Sequence, residues 1–143
     1  IMGYSNTWNQ HENFSEEEWA KIKLFYHGLK LVHGGGALIE ADHIIDDQTE
    51  SGSHIKFNGT NGQDYEIFTL KQYATIVSPE TTRFGDPTFN FCKTNRNPYD
   101  AIVWAVLSYA RYVKGNRDNF TIRNDDAEFY GSYKCKECGH HAQ

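Results

Sequence analysis

Cysteine, proline and methionine are scarce in this 143-residue chain, which has three cysteines, three prolines and one methionine. Three is an odd number of cysteines, and so small a set argues against a framework of disulfides. No apolar run approaches the roughly 18 to 20 residues that a membrane span requires. The first residues, IMGYSNTW, also lack the basic start and the apolar centre of a signal peptide. These absences predict a soluble protein of the cytoplasm that does not enter a membrane.

Positive charge is scarce and aromatic residues are abundant. The formal net charge is −5 and the isoelectric point is near 5.8. Broad binding of nucleic acid needs a basic face that displaces counterions, so this charge argues against it. Aromatic residues make up 15% of the chain, with nine Phe, nine Tyr and three Trp. A core built from rings favours a sheet covered by helices over a purely helical bundle.

Local signals in the first half predict a strand, a helix and a β-hairpin. Residues 3–9 alternate as a strand, and Ser15 forms a capping box with Glu18 at the start of a helix. Segments 54–57 and 65–70 flank two Asn-Gly pairs, which is typical of a hairpin. The first half of the chain is therefore predicted to contain a strand, one helix and one β-hairpin.

The stretch FNFCKTNRNPYDAIVWAVLSYARYVKG, residues 89–115, predicts a strand, a turn and a strongly apolar helix. Asn97 suits the N-cap, Pro98 suits the first helical position, and Asp100 places a carboxylate in the first turn. A helix that is apolar nearly all round is covered on two sides or lies in a subunit interface. For the second case we predict a homodimer through an outward face made of Trp104, Leu107, Arg111 and Tyr112.

The order of elements predicts an α+β fold, with a mainly antiparallel β-sheet and two α-helices packed on one face. We expect a single domain over residues 2–126. Residues 127–143, which include YGSYKCKECGHHAQ, are predicted to form a loosely ordered tail with cysteine and histidine.

The turn before the central helix is the best candidate ligand site. A strand that feeds a helix N-terminus aims N–H groups at one point, and neighbouring cations and hydroxyls suit a phosphate or carboxylate. The alternative is that Asp100 satisfies these groups itself, which would leave a closed structural corner. The predicted ligand-binding residues, with one from the hairpin, are Lys93, Thr94, Arg96, Tyr99, Asp100 and Asn58.

The tail offers a candidate metal site. Cys135 and Cys138 have the Cys-x-x-Cys spacing of one edge of a tetrahedral zinc site, and His140 would supply a third ligand. A fourth ligand would come from Cys92, a distant histidine or a second chain. Zinc is therefore the one candidate cofactor, and a chance pattern is the alternative.

Motifs of the well-known hydrolases are missing. The sequence has no Gly-x-Ser-x-Gly, no His-Glu-x-x-His and no P-loop. Carboxylates at Asp64, Glu66 and Asp100 leave a metal-dependent hydrolase or nuclease as an alternative without a unifying pattern. Lys93 could lower the pKa of the neighbouring Cys92 thiol, although burial of a strand cysteine is the commoner outcome.

Three phrases, MGYSNTW, IKFNG and FNFCKTNRNPYDAIVWAVL, give the chain a resemblance to known proteins. With the pattern KT-x-R-x-PYD they resemble a group of small bacteriophage and prophage proteins to which no chemistry is assigned. The likeness runs from Met2 to about Asp126, and the chain departs from the group after Ile122. The resemblance implies a virus-related accessory protein that acts in the cytoplasm of the host cell.

Together these observations predict a non-catalytic binding protein. We expect it to capture a small anionic or nucleotide-like ligand, or a host protein, in the manner of phage proteins that block a host defence. The alternatives are an interaction protein that binds zinc through its tail and a metal-dependent hydrolase or nuclease.

Overall fold

The computed structural model describes residues 4–32, 39–45, 53–60, 62–75, 85–115, 118–129, 133–135 and 141–142. For residues 39–45 and those beyond Asp126, only the backbone is described. The helices are α1 (Glu16–Val32) and α2 (Asp100–Lys114). The strands are β1 (Ser5–Gln10), β2 (Ile39–Ile45), β3 (His54–Gly59), β4 (Phe68–Lys71), β5 (Phe89–Lys93), β6 (Phe120–Asn124), β7 (Ala127–Phe129), β8 (Tyr133–Cys135) and β9 (His141–Ala142).

The strands form two antiparallel sheets, and this confirms the predicted α+β class. The larger sheet has the order β5-β1-β6-β7-β8-β9, and the smaller has the order β2-β3-β4. One sheet was expected. The two sheets separate beside Lys93, whose N–H group donates to the Glu66 carboxylate at 2.7 Å and whose carbonyl accepts from the Glu66 N–H group at 3.1 Å. Residue 66 thus occupies the edge of β5, and the chain then turns away into β4.

Helix α1 starts as the capping box predicts. The Ser15 N–H group donates to the Glu18 carboxylate at 2.9 Å, and the Glu18 N–H group donates to Ser15 Oγ at 3.1 Å. Phe14 and Trp19 complete this turn with ring centroids 6.0 Å apart, as in a hydrophobic staple. Further along α1, the buried Tyr26 ring stacks on Phe57 of β3 at 5.3 Å. The helix therefore anchors the smaller sheet.

The core lies between the inner face of the larger sheet, the two helices and the smaller sheet. Trp8 of β1 is 3% exposed and contacts Phe68 of β4, with ring centroids 5.3 Å apart. The helices meet where Phe25 and Tyr109 stack, with centroids 4.2 Å apart and nearly parallel planes. One core therefore joins all these layers.

The prediction that Trp104, Leu107, Arg111 and Tyr112 form an outward face of α2 is wrong, because most of these side chains are not on the surface. Leu107 is completely buried and Arg111 is 5% exposed, while Trp104 packs against the core. Only Tyr112, at 78%, is strongly exposed. Because α2 packs against α1 as well as the sheet, its apolar circumference is buried within one chain and does not call for a dimer. Homodimer formation remains a prediction, but this face of α2 no longer supports it.

The start of α2 differs from the predicted cap. Tyr99 occupies the N-cap with helical angles, φ −67° and ψ −12°, and makes no side-chain cap bond. The Asn97 side chain instead donates to the carbonyl of Asp64 at 3.1 Å, because the hairpin loop lies beside it. At the other end, Gly115 has a φ of 75° and ends the helix as expected.

The larger sheet continues past Asp126, where the sequence predicted a loosely ordered tail. Strand β7 pairs with β6, β8 pairs with β7, and β9 pairs with β8, all antiparallel. The turn at Asp125 and Asp126 reverses the chain, and the Asp126 N–H group donates to Asn124 Oδ1 at 2.9 Å. Neither helix in the described ranges has the length and apolar character to cross a membrane.

Candidate functional site

The turn after β5 is tight and left-handed. The Asn97 N–H group donates to the Thr94 carbonyl at 3.0 Å, and the two residues between them have positive φ, 55° at Asn95 and 58° at Arg96. Asparagine tolerates this region well, whereas arginine at positive φ costs roughly 1 kcal/mol. Such strain persists only where neighbouring contacts hold the residue in place.

The Asp100 carboxylate accepts hydrogen bonds that close the corner formed by the end of β5, the left-handed turn and the start of α2. Its Oδ1 atom accepts from Thr94 Oγ1 at 2.5 Å and from Asn6 Nδ2 at 2.7 Å. Thr94 and Asn6 have no exposed surface, and Asn6 Oδ1 has no hydrogen-bond partner among the described residues. The carboxylate thus ties β1, the turn and α2 together, which is the structural alternative that the sequence left open.

The hairpin reaches the same corner, and its polar groups are also satisfied internally. Tyr99 is completely buried, and its hydroxyl donates to the Glu66 carbonyl at 2.7 Å. Burial raises the pKa of Tyr99 well above its ordinary value. Asn58 Oδ1 accepts from the Tyr65 N–H group at 3.1 Å, and Asn58 Nδ2 donates to the Tyr65 carbonyl at 3.2 Å. Both side chains therefore hold the loop against the turn.

Arg96 is an exposed cation of the corner, and it already has partners. Its guanidinium lies 3.2 Å from the Asp126 carboxylate and 4.3 Å from the centre of the Tyr4 ring. The hydrogen bond to Asp126 raises the pKa of Arg96 further. The structure thus brings all six predicted ligand-binding residues together. Lys93 and Arg96 are exposed, Asn58 and Asp100 are partly exposed, and Thr94 and Tyr99 are buried.

The predicted zinc ligands lie at the margin of the structure. Cys135 ends β8, where only the backbone is described, and Cys138 and His140 fall outside the described residues. Among the residues whose side chains are described, no three His, Cys, Asp or Glu groups are placed to hold a metal ion. Cys92 is buried and free, and burial, followed by the charge of Glu66, raises its pKa to about 12. Burial therefore outweighs any effect of Lys93 on this thiol.

A second candidate site lies on the side of β5, β1 and β6 that faces away from the helices, which we call the outer face. Phe89 and Phe91 project from β5 onto this face with 48% and 53% of their surface exposed. Their ring centroids are 6.2 Å apart. A shallow groove of about 90 Å³ runs beside Phe89, and it is lined by Thr7, Trp8, Asn9, Phe89, Thr121, Ile122 and Arg123.

Sequence reasoning missed the outer face although one signal for it was present. The alternation in FNFCK does place Phe89 and Phe91 on the side opposite to Cys92. The pattern by itself does not tell which side meets the core, and large aromatic residues are usually assigned to the buried side. In the structure the aromatic pair lies on the exposed side, while the smaller Cys92 side chain faces the core and is fully buried.

Comparison with known proteins finds no matching family model, no similar curated protein and no similar solved structure. The likeness to bacteriophage and prophage proteins therefore rests on the quoted sequence phrases. Function has to be inferred from the geometry of the two sites.

Proposed function

We propose that the chain is a non-catalytic binding protein that captures its ligand on the outer face of β5, β1 and β6. The observation that carries this proposal is the pair of half-exposed rings, Phe89 and Phe91, beside a groove that also contains Arg123. Exposed aromatic rings with adjacent polar groups are typical of binding sites. The expected ligand is a small anion with an apolar portion, because the face offers both rings and cations.

The left-handed turn is a weaker candidate for the same function. Asp100 already accepts two hydrogen bonds there, and Arg96 is paired with Asp126. An incoming phosphate would have to compete with two carboxylates that are part of the fold. We therefore assign the turn to stability and the outer face to recognition.

Capture of a host protein is the second candidate function, and a separate observation favours it. Eight large hydrophobic side chains of the described residues are exposed, and four of them lie on β5 or beside its outer edge. Besides the two phenylalanines these are Tyr65 and Ile67, which flank Glu66 where it bonds Lys93. Clusters of this kind mark protein interfaces. Under this proposal the chain would be a phage-type accessory protein that acts against a host defence in the host cytoplasm. This part of the proposal is supported by the resemblance alone.

The proposal is tested by calorimetry with a panel of anionic ligands and three single variants. Phe91→Ala removes a ring from the outer face, and Arg96→Ala removes a cation of the turn. Tyr112→Ala is the control, since it removes an even more exposed ring from α2. We expect Phe91→Ala alone to lose binding. Loss of binding in Arg96→Ala alone would move the site to the turn.

The host-protein candidate is tested with the same variants by copurification from expressing cells. A single stoichiometric partner that Phe91→Ala fails to retain, while Tyr112→Ala retains it, would support protein capture on the outer face. If Phe91→Ala changes neither ligand binding nor copurification, the outer face is not the recognition surface.

A further inference from the structure

The register of the three strands arranges the outer face as a small grid. Across the sheet, Phe89 lies beside Asn9, which lies beside Thr121, and the next row is Phe91, Thr7 and Arg123. Neighbouring strands are about 4.8 Å apart, so each row spans roughly 10 Å. The face therefore has an aromatic column on β5, a column of hydrogen-bonding side chains on β1 and a cation on β6.

The aromatic column can stack a planar ring. Phe89 and Phe91 are two residues apart on one strand and face the same side. Stacking on exposed aromatic side chains is the common way in which proteins hold nucleobases, because every base has a flat π-face. Two adjacent rings offer room for one or two bases.

Asn9 on the central strand is fixed so that it presents an acceptor. Its Nδ2 atom donates to Asp86 at 3.1 Å and to Thr88 Oγ1 at 3.0 Å, which uses both of its N–H bonds. Asp86 is fixed in turn by the Thr88 hydroxyl, whose hydrogen bond is the main reason that the pKa of Asp86 is lowered. No described residue donates to Asn9 Oδ1, so this oxygen is available to a ligand that carries an N–H group.

The hydroxyl of Thr7 supports the same preference. Thr7 Oγ1 lies 3.4 Å from the carbonyl of Arg123, to which it donates. Its lone pairs then remain as acceptors toward the groove. An acceptor on β1 suits an exocyclic amino group, which adenine, cytosine and guanine carry and which uracil and hypoxanthine lack.

Charged side chains lie at both ends of the outer face. Lys93 follows the aromatic pair on β5, and Arg123 lies in the row of Phe91. Asp86 carries negative charge at the Phe89 end, and Asp125 lies at the opposite end, where it accepts from the N–H group of Ser5, the residue that pairs with Lys93. Lys93 and Arg123 outnumber the single carboxylate of Asp125 at this end, and this excess of positive charge favours a phosphate between the two cations. Two cations suffice for one or two phosphates and not for a long strand, in agreement with the net charge of −5.

The geometry points to a mono- or dinucleotide with an amino-bearing base as the ligand of the outer face: the base stacks on Phe89 and Phe91, its amino group donates to Asn9 Oδ1, and its phosphate lies toward Lys93 and Arg123. This inference rests on the proposed function and specifies its ligand. It does not involve a chemical step.

Calorimetry with defined nucleotides tests the inference on the full chain. We expect AMP to bind about tenfold more tightly than IMP, which has the same shape but no amino group. Asn9→Ala should abolish that difference, and Lys93→Gln should reduce the advantage of AMP over adenosine. A ten-nucleotide adenylate strand should bind no more tightly per site than the dinucleotide.

Two substitutions of Phe91 separate stacking from simple apolar contact. Phe91→Tyr keeps the aromatic face and should bind AMP as the wild type does, whereas Phe91→Leu keeps apolar bulk and should bind it about tenfold more weakly. Circular dichroism verifies that each variant is folded, and Tyr112→Leu is the control for loss of an exposed ring elsewhere.

The outcomes distinguish this inference from the function on which it rests. Binding of AMP that Phe91→Leu leaves unchanged, or equal binding of AMP and IMP by the wild type, overturns the nucleotide assignment. If no nucleotide binds but Phe91→Ala abolishes capture of another anion or of a protein, the outer face stands and its ligand class is wrong. If no ligand or partner depends on Phe91, both proposals fall.

Discussion

Gly59, the last residue of β3, allows the contact between the hairpin and the left-handed turn to be tested directly. A Cβ atom added there would collide with the Gln63 carbonyl oxygen and would lie 2.7 Å from Cδ1 of Tyr99. Hydrogen bonds hold both neighbours in place. In the hairpin loop, the N–H group of Gln63 donates to the Thr60 carbonyl at 2.8 Å, and the Tyr99 hydroxyl donates to the Glu66 carbonyl at 2.7 Å. Gly59→Ala therefore forces backbone as well as a buried ring to move.

The expected loss of stability follows from these contacts. Overpacking of a buried site costs about 1–3 kcal/mol, and displacement of Tyr99 would cost about 1 kcal/mol more through its hydrogen bond. We expect Gly59→Ala to lower the free energy of unfolding by about 3 kcal/mol, which for a chain of this size lowers Tm by roughly 10 °C. Urea unfolding and a thermal melt, both followed by circular dichroism, measure the two quantities.

Gly28 provides the matched control for this substitution. It lies in α1, and an added Cβ would meet no atom within 4 Å. Gly28→Ala should therefore stabilise the protein by about 0.5–1 kcal/mol, since alanine is the better helix former. A Gly59→Ala protein whose stability lies within about 0.5 kcal/mol of the wild type would refute the close packing of hairpin and turn.

Two further substitutions and one thiol reaction test other parts of the fold. Thr94→Val removes the buried donor to Asp100 and should destabilise the protein by about 1–3 kcal/mol in urea unfolding, because the carboxylate loses a partner; an unchanged midpoint would argue against the closed corner. Lys114 lies 3.3 Å from Glu18, and although burial raises the pKa of that carboxyl, the bonds from Ser15 and Lys114 outweigh it and lower the pKa. Stability from Glu18 is thus present at neutral pH and lost as the pH falls through this lowered pKa, so Lys114→Met should destabilise the protein at pH 7 and reduce the further loss of stability in acid; equal acid sensitivity of both proteins would contradict it. Cys92 should react with a thiol reagent only in denaturant, because burial holds its pKa at about 12, and rapid reaction in the native Cys135→Ser/Cys138→Ser background would show that the strand is open.

The turn before α2 shows how far local sequence leads. The strand before it and the glycine after the helix follow from patterns within a few residues, and both were confirmed. The roles of Thr94 and Asp100 were left open, because Asp100 is decided by a hydrogen bond from Asn6, 94 residues earlier in the chain. No local pattern specifies such a partner.

The helix faces show a second limit. An apolar circumference indicated that α2 is covered on two sides, but it did not say whether a second chain or α1 covers it. The structure answers with the stacked pair of Phe25 and Tyr109, so Leu107 and Arg111 are buried within one chain. Orientation of a helix depends on the partners that the fold brings to it.

The sequence by itself determined where α1 begins and where α2 ends, that the segments of β1, β3 and β5 alternate as strands, and that the fold is of the α+β class. These features depend on caps, turns and periodicity, which act between residues close along the chain. Only the tertiary structure decided that Asp100 closes its corner, that Glu66 ends the edge of β5 and that Phe89 and Phe91 face solvent. A strand alternates equally well with either side inward, and the choice is made by whichever side the helices and the second sheet can pack against.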